Sequence, residues 1–253
     1  SGVVVIPAYD NLLEEVLSDY WEGKVVKVAI HEELSSNWLS STLKTPVRFL
    51  DVDFLGLLDM SKGLLKAEEQ IFQLPLEGKH NAQNFLLALA VAKELGISFQ
   101  QIQQLNVDTP AGRNKSFTFS GITVLDESYN SSPESVKASM ELLVSKKGRH
   151  FAVLGTMLEL GDQSVLLHKQ VADWAVDLGL DGLVILAKGE EAEAMLIAAK
   201  SLPRVVVVSS IEEAFNALLV WITSGDVVLI KASRAVEIEM LLPVFEKHFG
   251  SGF

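Results

Sequence analysis

Two rhythms of apolar and polar positions run along the chain. In the first hundred residues the apolar runs are short and irregularly spaced. Val3–Ile6 reads as a strand. Asn11–Tyr20 reads as a helix, with Leu12, Leu13, Val16 and Leu17 at helical spacing. Val25–Ile30, Val47–Val52, Phe54–Leu58 and Gly63–Lys66 read as strands, and their close spacing predicts an antiparallel set. Asn81–Leu95 is a helix that stops at Gly96, a residue suited to the position just past a helix end. A shorter helix is expected from Ser98 to about Leu105.

After Asp108-Thr-Pro-Ala-Gly112 strands and helices alternate regularly. The strands are Ile122–Leu125, Phe151–Leu154, Gly182–Leu186, Arg204–Val208 and Val227–Lys231. The helices cover about Pro133–Ser145, Gln163–Leu178, Glu190–Ser201, Ile211–Ser224 and Ala235–His248. The strands are short, continuous and rich in Val, Ile and Leu, as expected where both faces are covered. Such alternation implies parallel pairing through right-handed crossovers, an α/β fold. A domain boundary is placed at Thr109-Pro110, giving 1–109 and 110–253.

Composition narrows the partners. The net charge is -12 with an isoelectric point near 4.9. That argues against DNA or an acidic membrane as a partner. Small anions remain open, since a few local cations and backbone N–H groups suffice for them. Cysteine is absent, which removes disulfides, thiolate chemistry and Cys-ligated metals. The segment Ser1–Pro7 lacks a basic region followed by a long apolar one. Apolar runs such as Ala214–Ile222 are too short to span a bilayer. A cytosolic monomer without membrane insertion is expected.

The densest polar cluster is Asp126-Glu-Ser-Tyr-Asn130, which follows a strand and precedes a helix start at Ser132-Pro133. The carboxyl ends of strands are where open α/β sheets bind ligands. Paired acids there could bind a ribose diol or orient a cation. Alternatively, Asp126 or Ser128 satisfies loop N–H groups and Tyr129 packs. Upstream, Gly78-Lys-His-Asn-Ala-Gln-Asn84 puts Asn81 and Asn84 on one helical face. A side-chain amide there offers a purine edge both donor and acceptor, though Asn81 could equally be an ordinary N-cap. At Pro110-Ala-Gly-Arg113 the guanidinium suits a phosphate, or else is a solvated turn residue. Gly155 in Leu154–Gly161 could let a ligand approach the backbone. His168 is either functional or an ordinary helix residue. Lys231-Ala-Ser-Arg234 places cations and a hydroxyl at a helix start, a plausible anion site. No G-x-x-x-x-G-K-[ST], G-x-G-x-x-G, nucleophile elbow or H-E-x-x-H string occurs.

These five strings, in this order and spacing, resemble the Mur ligase family, in its D-alanyl-D-alanine-adding type. The resemblance implies a partial α/β central ATPase domain over 1–109 and a Rossmann-like C-terminal domain over 110–253. It implies ATP-dependent amide synthesis in peptidoglycan precursor assembly. The substrates would be UDP-N-acetylmuramoyl-tripeptide and D-alanyl-D-alanine, joined through an acyl phosphate. ATP and Mg would be required, the Mg ligands and phosphate loop being expected upstream of Ser1, so that this chain alone would be inactive. By the same resemblance Asn84 contacts adenine, supported by His80 and Asn81. Arg113 reaches phosphate, Asp126 or Glu127 the ribose, and Tyr129 and Asn130 shape the nucleotide side. Thr156, Glu159, His168, Lys231, Ser233 and Arg234 face the cleft and help place the dipeptide. Glu127, Thr156 and Ala232 depart from the family's Asp, Asp and Gly. Two other readings stay open: a folylpolyglutamate synthase-like ligase, and a noncatalytic α/β binding module.

Overall fold

The computed structural model describes residues 2–32, 51–102 and 107–250. The chain divides into two compact units, Ser1–Val107 and Asp108–Phe253. Among the described residues no helix is long and apolar enough to cross a membrane.

In the first unit a five-stranded sheet has the order β1-β2-β3-β4-β5. Its strands are β1 (Val3–Pro7), β2 (Lys24–Glu32), β3 (Phe54–Asp59), β4 (Leu64–Ala67) and β5 (Gln70–Gln73). The expected antiparallel set is only half present. β3, β4 and β5 pair antiparallel, but β1, β2 and β3 are parallel. The pair that departs from the expectation is β2 with β3, whose connection runs mainly through residues outside the described part; for β1 and β2, helix α1 (Asn11–Tyr20) lies between the two strands. Its start is fixed by Asp10, whose side chain accepts the Leu13 N–H, and a helical crossover is what parallel neighbours require. The strand read at Val47–Val52 lies outside the described residues up to position 50, and Asp51 and Val52 are not in a strand.

Helix α2 (Lys79–Glu94) buries Phe85, Leu86 and Leu89. Phe72 meets Phe85 and Phe99 edge-on, with ring centroids 5.6 and 5.8 Å away. The short helix expected after Ser98 is a single 3-10 turn, Phe99–Gln101, and residues 103–106 lie outside the described part.

The second unit has a six-stranded sheet of order β10-β9-β8-β11-β7-β6. These are β6 (Lys115–Phe119), β7 (Ile122–Asp126), β8 (His150–Gly155), β9 (Gly182–Leu186), β10 (Val205–Val208) and β11 (Val227–Lys231). All pairings are parallel except β6 with β7. Helices α3 (Pro133–Val144), α4 (Ser164–Asp177) and α5 (Gly189–Ala198) contribute Met140, Leu143, Val171 and Met195 to one core cluster. Helices α6 (Ile211–Trp221) and α7 (Leu241–Phe249) contribute Phe215, Leu218, Leu241 and Phe245 to a second. Every residue of β9 and β11 is buried, which explains their unbroken apolar runs.

In the first unit β5 is a strand the sequence reading did not give, and in the second unit two elements differ from it. β6 is additional, joined to β7 by Ser120 and Gly121, both at positive φ (48° and 82°), as a two-residue hairpin turn needs. The last helix starts at Leu241 rather than Ala235, because Glu237 is left-handed (φ 54°) and breaks residues 234–240 into two 3-10 turns. At the amino end of the sheet Arg149 pairs with buried Asp226 through Nε–Oδ1 (3.0 Å) and Nη2–Oδ2 (2.6 Å).

Candidate functional site

Parallel pairing brings the ends of β7, β8 and β11 together, and the predicted residues of the second unit lie there. Asp126 ends β7 and is buried. Its Oδ1 accepts the Ser128 N–H at 3.1 Å, so part of its capacity goes to shaping the loop. Glu127 Oε1 accepts the Asn114 N–H at 3.1 Å. Burial pushes the Glu127 carboxyl above its ordinary range, opposed by the charge of Lys231 and the Asn114 N–H. The Tyr129 N–H donates to Gly112 O at 2.9 Å. Gly112 has φ 77°, and a Cβ there would sit 2.7 Å from both Ser128 Oγ and Tyr129 N. Glycine is thus needed where this loop crosses the segment carrying Arg113.

Arg113 and Arg234 converge on Tyr129. Their guanidinium carbons lie 4.1 and 5.9 Å from the ring centroid, within cation–π range. Arg113 is exposed, so its planar fork is presented at the surface. Arg234 also pairs with Glu239 at 3.3 Å. Beside them is a hollow of about 690 Å³ whose lining includes Asp126, Ser128, Arg234, Phe117, Glu239 and Met240. Ser128 Oγ and Glu239 Oε2 are buried there without a hydrogen-bond partner among the described residues. Buried polar groups are rarely left so; these two, with Asp126, can meet ligand hydroxyls. Thr156 lies elsewhere, in a hollow of about 390 Å³ that also holds Lys188, Glu191 and Ser209. The residues expected to line one cleft are thus divided between two hollows.

Three residues expected to face a cleft point inward instead. His168 is fully buried. Its Nε2 accepts the Met157 N–H at 2.9 Å and its Nδ1 meets Ser164 O at 2.8 Å. Both ring nitrogens are taken, and the side chain clips the loop after β8 to α4. Ser233 is buried, and its Oγ accepts the Leu158 N–H at 2.8 Å. Lys231 is 4% exposed, and its ammonium donates to Asn130 O at 2.8 Å and Glu127 O at 3.3 Å. Burial pushes that ammonium down to about 8, against the pull of Glu127. Glu159 is exposed in a left-handed conformation (φ 65°), and Asn130 is exposed.

In the first unit α2 begins after Gly78, whose φ is 101°, so Gly78 is the N-cap and not Asn81. Asn81 lies in the first turn and its amide donates to Glu77 O. Asn84, one turn on, is exposed, and His80 is half-buried.

Residues 112–234 match the family described as Mur ligase, glutamate ligase domain. The chain is 40% identical over 231 residues to a UDP-N-acetylmuramoyl-tripeptide–D-alanyl-D-alanine ligase of Synechocystis, covering 90% of this chain and 46% of that protein. The chain belongs to the Mur ligase family. A ligase of the same name from Mycobacterium leprae is 31% identical, over 68% of this chain and 38% of its own length. The crystal structure of MurF ligase from Thermotoga maritima in complex with ADP superposes with a TM-score of 0.73 at 25% identity, over 98% of this chain and 54% of that one. This Mur ligase chain therefore spans about half the length of the relatives it matches.

Sequence reasoning missed the wall that β6 and the 3-10 turns after β11 give the larger hollow. The signal was present in Lys115-Ser-Phe-Thr-Phe119, which alternates polar and apolar before Ser120-Gly121. Gly155, read as a point of ligand approach, instead makes room for the segment that follows β11. A Cβ there would lie 2.6 Å from Ala232 Cβ and 3.1 Å from Val236 Cγ1. Gly155→Ala in this Mur ligase chain is expected to cost roughly 1–3 kcal/mol by overpacking. Urea unfolding checks this, and adding Ala232→Gly should recover most of the loss.

Proposed function

We propose that the chain is the nucleotide- and acceptor-side half of a MurF-type ligase, joining D-alanyl-D-alanine to UDP-N-acetylmuramoyl-tripeptide with ATP. The observation that carries this is the 40% identity to the Synechocystis ligase over 90% of the chain. The tripeptide carboxylate attacks the γ-phosphorus and displaces ADP, leaving an acyl phosphate. The dipeptide amine then attacks the carbonyl carbon, loses a proton and expels inorganic phosphate. Positioning and charge stabilisation supply most of the catalysis in such transfers.

The chain's own residues fit the nucleoside and phosphate parts. Asp126 and the Ser128 hydroxyl, which line the larger hollow, receive ribose hydroxyls, and Glu127 accepts the Asn114 N–H. Arg113, pre-oriented on Tyr129, is the phosphate ligand. Asn84 serves adenine, with Asn81 and His80 supporting it. Thr156, Glu159 and Arg234 remain the candidates for placing the dipeptide. Magnesium would neutralise phosphate charge, but among the described residues no group of three or more His, Cys, Asp or Glu is placed to hold a metal ion. No step here runs through these residues and a metal. Activity is assigned to a chain of the relatives' full length, in the cytosol, and this chain alone is expected to be inactive.

The test is phosphate release with ATP, magnesium and both peptide substrates, on this chain and on a full-length protein containing it. Turnover only in the longer protein, with D-alanyl-D-alanine preferred over glutamate as amine, is the expected result. Robust turnover by this chain alone, or glutamate preference, overturns the reading.

A further inference from the structure

We propose that Lys231 is a positioning residue: its buried ammonium holds the Glu127–Asn130 loop, and through Tyr129 the Arg113 guanidinium, in the ligand-receiving arrangement. The inference rests on the proposed function only for the ligand that Arg113 meets. The loop-setting itself stands on geometry.

The connections run in series. Lys231 ends β11, the strand between β7 and β8. Its Nζ donates to the carbonyls of Glu127 and Asn130, at 3.3 and 2.8 Å. Those two acceptors bracket Ser128 and Tyr129. The Glu127 carboxylate takes the Asn114 N–H and the Tyr129 N–H goes to Gly112 O. Arg113, between Gly112 and Asn114, lies on the Tyr129 ring at 4.1 Å. A charge brought inside the protein is costly unless it is hydrogen-bonded. Here it is directed at main-chain oxygens of one loop, and among the described residues no ion-pair partner takes it up directly.

The charged groups around the ammonium are Glu127 and Asp126 from the end of β7, which favour its protonated form, and Arg113, which disfavours it. Burial outweighs the two carboxylates, so the ammonium loses its proton near pH 8. Neutral lysine has two N–H donors and weaker charge-assisted bonds, so the loop should loosen over that interval.

The chain has three tyrosines, so carbonyl-¹³C tyrosine labelling gives three resonances, and Tyr129→Phe assigns one. In the native chain the Tyr129 carbonyl resonance should move with a midpoint near pH 8, while those of Tyr9 and Tyr20 do not share that step. Lys231→Met should displace it at pH 7 and abolish the step, with a cooperative melt retained. ADP affinity, read by calorimetry, should fall about tenfold or more. Glu127→Gln keeps the lysine but removes a charge that favours its protonation, so the midpoint should move to lower pH. This second variant keeps the test informative if Lys231→Met does not fold. A Tyr129 resonance flat from about pH 6.5 to 9.5 in the native chain overturns the proposal, as does an unchanged titration in Lys231→Met. A normal titration with no ADP binding by the full-length protein would instead count against the proposed function alone.

Discussion

Asp226→Ala is expected to lower the thermal midpoint at neutral pH by roughly 4–16 °C. The carboxylate is buried and accepts from Arg149 Nε and Nη2 and from the Thr223 N–H, the last at 2.6 Å. Hydrogen bonds to charged groups contribute about 1.5–3 kcal/mol each in mutational series. Shared acceptors and the half-exposed Arg149 reduce the sum, and a net loss of about 2–4 kcal/mol is a fair central value. At roughly 2–4 °C per kcal/mol for a chain of this size, that gives the stated shift. The effect has a definite pH signature. Burial alone would raise this carboxyl, but the Arg149 hydrogen bonds and the Thr223 N–H outweigh it and hold it below its ordinary value. A lowered carboxyl stabilises the fold above its unfolded value, about 3.9, and that contribution disappears as pH falls through the folded value. Native and variant melting curves should therefore differ most near pH 7 and converge in acid. A difference that persists unchanged to pH 2 would rule out the ion pair as its source.

Arg113→Ala is expected to weaken ADP and ATP binding by about 10- to 100-fold in the full-length ligase. Losing a bidentate charge-assisted contact to phosphate corresponds to about 1.5–3 kcal/mol. Stacking on Tyr129 at 4.1 Å pre-orients the fork, so Tyr129→Leu should lose a smaller part, about 0.5–1 kcal/mol. Arg113→Lys should restore charge but neither the fork nor the stacking, and so recover little. Adenosine binding should be unaffected by all three. Equal losses for adenosine and ADP would show that Arg113 supports the loop and does not meet phosphate.

Much of the second unit was legible because its strands are buried on both faces. The runs at 151–154, 182–186 and 227–231 admit little else, and Ser132-Pro133 marks the start of α3 as a capping residue and a first-turn proline should. Pairing in the first unit was less legible. Short, closely spaced apolar runs look antiparallel, as β3, β4 and β5 are, but their pattern does not carry the direction of β2 beside β3, which is parallel. At the site, the residue types and the strand ends were readable but the directions of the side chains were not. Lys231 and Ser233 look like chemistry in a linear reading because they are polar and lie at the end of a strand, and His168 because it is an imidazole in the helix after one. Whether such a side chain meets solvent or a backbone N–H depends on which loop folds over it. That is settled by contacts from residues 75 positions away for Ser233 and 101 for Lys231.

Gly155 and Ala232 have a consequence for how this sequence can drift. The two main chains pass so near each other that only one of the positions has room for a methyl group. Where the family pattern carries glycine at the second, this protein has alanine. The Ala232 methyl fills the room that Gly155 leaves, so the tolerance belongs to the couple and to neither member. Exchange is therefore permitted only in sequence: the occupied side must shed its carbon before the empty side can gain one.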